Sequence, residues 1–197
     1  MSSSSPLSIV GLFSSDAAVR NISAAAIYNQ GLSLTGPVVS SWLANREFSG
    51  LLQGQLVTVG LAVFPETFAR IWQANGNPRL ANVPPDQDAE EFELHFPAGI
   101  SLDILTSRDA NREGALARFL KRFGEGIQQV EYRCADVDRA TAILREYFGV
   151  APIYPEARGG AGDTRINFFL VPTGAGTKVL IELYEAGSNR GVGGVTG

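Results

Sequence analysis

The residues of this chain best suited to chemistry are polar side chains set inside apolar, β-branched runs. In GIQQVEYRC, an extended backbone puts Gln129, Glu131 and Arg133 on one face and Gln128, Val130, Tyr132 and Cys134 on the other. TKVLIELYEA sets Glu182 among aliphatic residues, with Tyr184 two positions on, and ISLDILTS sets Asp103 between Leu102 and Ile104. In QLVTVGLAV the apolar face Val57, Val59, Leu61 and Val63 leaves Thr58, Gly60 and Ala62 opposite. EEFELHFP carries Glu91, Glu93 and His95 on alternate positions. Carboxylates in mid-strand among aliphatics are hard to explain by solvation alone. Two of them near one substrate carbon act as base and conjugate acid when burial or mutual repulsion raises one pKa. Each also has a plainer reading: Glu91 and Glu93 facing solvent, His95 at the surface, Glu131 and Arg133 as a neighbouring ion pair.

The elements that must position these groups come in two similar runs. A strand from Gln55 is followed by a helix opened by Pro65, with Phe68, Ile71 and Trp72 at helical spacing. The loop NGNPRLANVPPDQDA and two strands joined by a turn at Ala98 and Gly99 complete the first run. After a connecting helix, about Asn111 to Phe123, the pattern restarts. A strand leads into the helix VDRATAILREYFG, with Ala140, Ile143, Leu144 and Tyr147 on one side and Gly149 as its stop. A turn-rich segment with a short strand, VAPIYPEARGGAGD, precedes TRINFFLVP and TKVLIELYEA, which TGAGT joins. Before the repeat, SDAAVRNISAAAIYNQG predicts a helix from Ser15 or Asp16 to near Gly31, and a second helical piece runs from Pro37 to Arg46. MSSSSP and SNRGVGGVTG read as loose tails.

The organisation is therefore an α+β fold in which one unit is used twice. Residues 1–54 form a mainly helical extension, 55–110 the first unit, 111–125 the connecting helix, 126–186 the second unit and 187–197 the tail. Thr58, Asp103, Gln129 and Glu182 then occupy equivalent places, on the first and last strands of each unit, on faces turned away from the helices. The extension reads as an added layer on the body or an oligomer contact.

Composition narrows the function classes. The chain is 197 residues long, 45% hydrophobic and 18% charged, so it buries a sizeable core. A formal charge of −4, with no lysine- or arginine-rich run, argues against nucleic acid as the main partner. One cysteine, Cys134, and one histidine, His95, exclude an intrachain disulfide framework and the usual Cys- or His-rich metal sites. No apolar run is long enough for a membrane span, and MSSSSPLSIVGLF lacks a basic leader region, so a cytoplasmic protein is expected. RGGAGD lacks the Gly-Lys-Ser/Thr ending of a phosphate loop and reads as a turn at a cleft mouth.

The strings ARFLKRFGEGIQQVEYRCADVDRA, GGAGDTRINFFLVP and TKVLIELYE resemble the vicinal-oxygen-chelate superfamily, the glyoxalase/bleomycin-resistance/dioxygenase-like proteins, and within it methylmalonyl-CoA epimerase. The resemblance covers about residues 55 to 185. It implies paired βαβββ modules forming a cupped mixed sheet around a divalent metal, with ligands at Thr58, Asp103, Gln129 and Glu182. Where the family usually has histidine on both first strands, this chain has Thr58 and Gln129, and Glu182 alone matches a usual ligand. An all-oxygen set of this kind, Asp103, Gln129 and Glu182 first, suits Mg²⁺, Mn²⁺ or Ca²⁺ rather than zinc. The reading is of no tightly bound cofactor. The matching proton-abstracting base is Glu93, with Glu91 next, and Arg133, Arg165, Gln129 or His95 would supply hydrogen bonds to an enolate.

Two functions stay open. One is an isomerase, epimerase, lyase or cyclase acting next to the carbonyl or acyl group of a small organic substrate, with Glu182, Asp103, Glu93, Glu91 and His95 catalytic. Thr58, Gln129, Glu131, Arg133, Arg165 and Tyr184 would bind the substrate. The other is a sequestering protein without turnover, its cleft dominated by Tyr184, Phe169 and Leu105. The oligomeric state stays open, the resemblance pointing to a homodimer, since the superfamily often builds its cleft across a dimer.

Overall fold

The computed structural model describes residues 9–109, 114–173 and 177–187, so both tails, Asn111 and the centre of TGAGT lie outside the described residues. The chain opens with α1 (Ala17–Leu43), whose first turn is capped by the Asp16 carboxylate accepting from the Ala18 N–H at 2.8 Å. The expected break at Gly31 is absent: one helix runs through both Gly31 and Pro37. Its buried stripe, with Ala24, Ile27, Gly31, Thr35, Val39 and Trp42, repeats every three or four residues and keeps one face on the sheet. Gly31 belongs to that stripe for a steric reason. A Cβ there would sit 2.6 Å from Cγ2 of Val59, so the glycine sets how closely helix and sheet approach.

A short α2 (Arg46–Leu51), capped by Asn45 Oδ1 accepting from Glu47 and Phe48, leads into β1 (Leu52–Ala62), which starts three residues before Gln55. Next come α3 (Pro65–Ala74), β2 (Ala89–Phe96) and β3 (Ile100–Ser107). The β2–β3 turn uses positive φ at Ala98 and Gly99, as expected. After α4 (Ala115–Phe123), the second unit follows as β4 (Gly126–Cys134), α5 (Val137–Phe148), β5 (Arg158–Gly159), β6 (Arg165–Pro172) and β7 (Lys178–Glu185). Gly149 ends α5 in the left-handed region, whereas Tyr147, expected on the apolar side, is 64% exposed in the last turn.

The seven strands form one mixed sheet in the order β2-β3-β1-β4-β7-β6-β5. Each unit pairs its first and last strands in parallel, and the units meet at the antiparallel β1–β4 pair. The first unit departs from βαβββ. Where the second has β5, the first keeps one backbone hydrogen bond, from Ala81 N–H to Glu91 O. Pro78, Pro84 and Pro85 crowd that segment, and proline cannot donate to a ladder.

One face of the sheet is covered by α1, α3 and α5. Helix α1 crosses the middle, where Thr35 Oγ1 bonds Tyr132 Oη at 2.6 Å and Trp42 meets Phe169 edge-on. Phe48 and Trp42 are buried together there, and Cys134 is buried on the same face, its thiol pushed up to about 12 chiefly by desolvation. The other face is left to curve around a cavity, closed at one end by Leu116 and Leu120 of α4 against Leu105 and Ala62.

Candidate active site

Register determines which side chains share the concave face. Thr58 of β1 lies opposite Glu131 of β4, and Glu131 opposite Glu182 of β7, so these three form one row across the sheet. A second row runs from Glu93 to Asp103 to Gly60 to Gln129. Directly paired residues project on the same side of a sheet, which brings together groups far apart in sequence. The cavity they line has a volume of about 500 Å³.

Gly60 sits between Asp103 and Gln129 with no side chain of its own. A Cβ there would lie 2.5 Å from Cγ of Gln129, so the glycine is what allows the glutamine to lie across β1. Gln129 Nε2 donates to Glu131 Oε1 and to Glu182 Oε2, both at 3.0 Å, tying the two carboxyl groups together. Thr58 Oγ1 donates to Glu93 Oε1 at 3.4 Å.

Seven carboxyl groups line one partly closed space, five of them on the strands of the sheet, and this shapes their ionisation. Burial, reinforced by Glu91, Glu131, Glu182 and Glu93, holds Asp103 well above the usual carboxylate range. Burial and the nearby Glu131 and Glu91 do the same for Glu182, despite the opposing hydrogen bond from Gln129. Desolvation pushes Glu131 up to about 8, again against that hydrogen bond. Glu91 is raised less, to about 6, because the Arg108 charge offsets part of its burial. Near neutral pH the cavity therefore holds neutral carboxylic acids beside a largely ionised Glu91. Burial also raises the Tyr184 phenol at the cavity wall.

The cavity gathers Thr58, Glu91, Glu93, Asp103, Gln129, Glu131, Glu182 and Tyr184 from the sequence-derived set. It leaves out three. His95 is exposed and bonds the Ser101 hydroxyl through Nδ1 at 3.0 Å, with Nε2 3.6 Å from Glu93, because it lies two residues beyond Glu93 along β2, outside the cavity lining. Arg165 points to the helix side, where it pairs with Asp138 at 2.6 Å at the start of α5 and lies 3.6 Å from Glu185. Arg133 is paired with Tyr184 but lies outside the lining, with its Nε buried and unbonded. Phe169 is also displaced from the expected cleft: it is fully buried against Trp42, and Phe168 lines the cavity instead.

Gln128 is the residue that alternation placed wrongly. Gly60 pairs with Gln129 and Leu61 with Ile127, so Gln128 is the extra residue of a β-bulge and joins Gln129 on the cavity side. Alternating polarity carries no sign of such a bulge. Tyr154 and Ile153 were missed as well; buried Asn167 holds that segment, its side-chain amide donating to Tyr154 O at 3.1 Å. At the mouth, Arg158 of the second unit pairs with Asp86 of the first at 2.5 Å and stacks on Tyr154, while Gln87 donates to Gly159 O at 3.0 Å. RGGAGD thus lies at the cleft mouth, as its composition suggested.

The divalent ion implied by the resemblance finds a poor donor set. Gln129 offers its N–H group, not its carbonyl, to Glu182, and the Thr58 hydroxyl is directed to Glu93. Among the described residues no group of three or more His, Cys, Asp or Glu side chains is placed to hold a metal.

No family model and no curated protein sequence matches the chain. Solved structures do. A methylmalonyl-CoA epimerase from Mycobacterium tuberculosis matches with a TM-score of 0.54 and 33% identity, over 69% of this chain and 93% of that one. A methylmalonyl-CoA epimerase in complex with methylmalonyl-CoA and NH4+ matches with a TM-score of 0.54 and 23% identity, over 70% and 96%. A Streptomyces coelicolor methylmalonyl-CoA epimerase variant, in complex with 2-nitronate-propionyl-CoA, shares the fold at 22% identity and a TM-score of 0.52, over 69% and 96%. With its two β–α–β units joined at β1–β4 around one concave face, this chain belongs to the vicinal-oxygen-chelate (glyoxalase-like) superfamily, the superfamily of the methylmalonyl-CoA epimerases.

Proposed function

We propose that the protein is an isomerase that moves a proton on the carbon next to the carbonyl of a small acyl substrate, using carboxyl groups without a metal. The observation that carries this reading is the Glu131–Gln129–Glu182 arrangement. Two half-buried carboxyl groups are tied by one amide, on the strands where relatives are expected to place metal ligands. Similarity to epimerases supports an isomerase at the level of reaction class.

Glu91, ionised over most of the neutral range, takes the proton from the α carbon. The electron pair of that C–H bond moves into the carbonyl, whose oxygen becomes an enolate. Glu131 and Glu182, held neutral, donate hydrogen bonds to that oxygen, the work otherwise done by a cation. A carboxylic acid kept protonated at pH 7 is an effective donor of this kind. The neutral Asp103 carboxyl delivers a proton to the opposite face of the carbon while Glu91 keeps the one it removed, and exchange of both groups with solvent resets the site.

The test is solvent deuterium uptake at the carbon between the carbonyls of 2-methylacetoacetyl-pantetheine, followed by NMR against the buffer rate. Glu91→Gln is expected to slow uptake about 10²- to 10⁴-fold, the usual contribution of a positioned base, while leaving binding within a few-fold. Binding without uptake above the buffer rate in the native protein would instead favour a sequestering protein, with Phe168 and Tyr184 as the apolar wall. The rate is also expected to follow a bell-shaped pH profile. It rises as Glu91 ionises through about 6 and falls as Glu131 loses its proton through about 8.

A further inference from the structure

The cavity is lined by Glu91, Glu93, Asp103, Glu131 and Glu182, and among the described residues Arg158 is the one lysine or arginine in its lining. Arg158 lines the mouth, and its charge is committed to Asp86. Arg108, outside the lining, donates to Val83 O at 3.2 Å and already offsets part of the Glu91 charge, and Arg133, paired with Tyr184, also lies outside the lining. Asp103 adds an independent sign that a ligand belongs here. It keeps 8% of its surface and lines the cavity, yet its carboxyl receives no hydrogen bond from any described residue.

We infer that the substrate's reacting end is uncharged: the site takes a neutral carbonyl compound and rejects one that carries a free carboxylate beside the reacting carbon. The inference rests on the proton-transfer reading of the cavity and narrows its substrate class. A carboxylate entering the cavity gives up its water, meets the ionised Glu91 and finds no uncommitted lysine or arginine in the lining, so it stays a buried charge without a counter-ion. A neutral ester or ketone meets the same walls as hydrogen-bond donors and acceptors. Asp103 is placed to supply one of those bonds. The methylmalonyl group named in the related complex carries such a carboxylate, so this chain departs from that relative in charge selection.

The experiment compares two probes that differ in that group alone: methylmalonyl-pantetheine with its carboxylate free, and the same thioester as its methyl ester. Binding of each to the full-length protein is measured by titration calorimetry at pH 7.5, with deuterium uptake at C2 followed in parallel by NMR. The ester is expected to bind at least tenfold more tightly than the free acid. Equal or tighter binding of the acid overturns the inference, as does failure of both probes to bind. Uptake separates this outcome from the parent reading. An ester that binds without exchanging its C2 proton sustains the charge preference and sinks the isomerase; an acid that binds and exchanges does the reverse.

Discussion

At the residue scale, Glu131 links catalysis to stability. Its ordinary value is 4.5 and its folded value is about 8, so between these limits the folded protein holds a proton that the unfolded chain has released. Stability from this group is fully present below about 4.5 and is lost as pH rises through 8. The melting temperature is therefore expected to be lower at pH 9 than at pH 6. Glu131→Gln, which is neutral at both, should narrow that difference; an unchanged difference would place the proton elsewhere. Asp103, Gln129 and Glu182 were legible in the sequence because regular alternation puts them on the open face. Gln128 was not, since a bulge shifts phase without changing composition. Phe168 and Phe169 are chemically identical neighbours, and only the position of Trp42 decides which of them is core.

At the scale of elements, two glycines set distances that no polarity pattern reveals. Gly31 lets α1 rest on Val59, and Gly31→Ala forces a Cβ into 2.6 Å contact with a buried branched side chain. The expected loss is about 1–3 kcal/mol, the usual range for overpacking, partly recovered with Val59→Ala and measured by denaturant unfolding. This close approach is also why the helix break read from Gly31 and Pro37 does not occur: packing against β1, β3 and β4 outweighs both local signals. Trp42 anchors the far end of the same helix, 1% exposed against Phe48 and Phe169. Trp42→Ala is expected to cost about 3–5 kcal/mol by the same assay. Gly60→Ala acts on the site instead. It displaces Gln129 from its position over β1 and should lower deuterium uptake with little change in melting temperature. The strand–helix order of the two units was readable because each strand alternates and each helix begins or ends on Asp, Pro or Gly. The missing edge strand of the first unit, the counterpart of β5, was not, because a proline-rich segment looks the same in sequence whether or not it lies along an edge.

At the scale of the whole molecule, the contact between β1 and β4 joins the two halves into one sheet, and each half brings acids to the shared floor. Glu91, Glu93 and Asp103 come from the first, Glu131 and Glu182 from the second. A chain divided at Gly114 would leave two pieces, each with a bare central edge inviting promiscuous strand addition. Neither piece alone should retain ligand, whereas co-refolded pieces should recover one equivalent of bound ester per reassembled pair. Duplication here has produced a single pocket from two incomplete ones, so substitutions that tune selectivity must satisfy both halves at once.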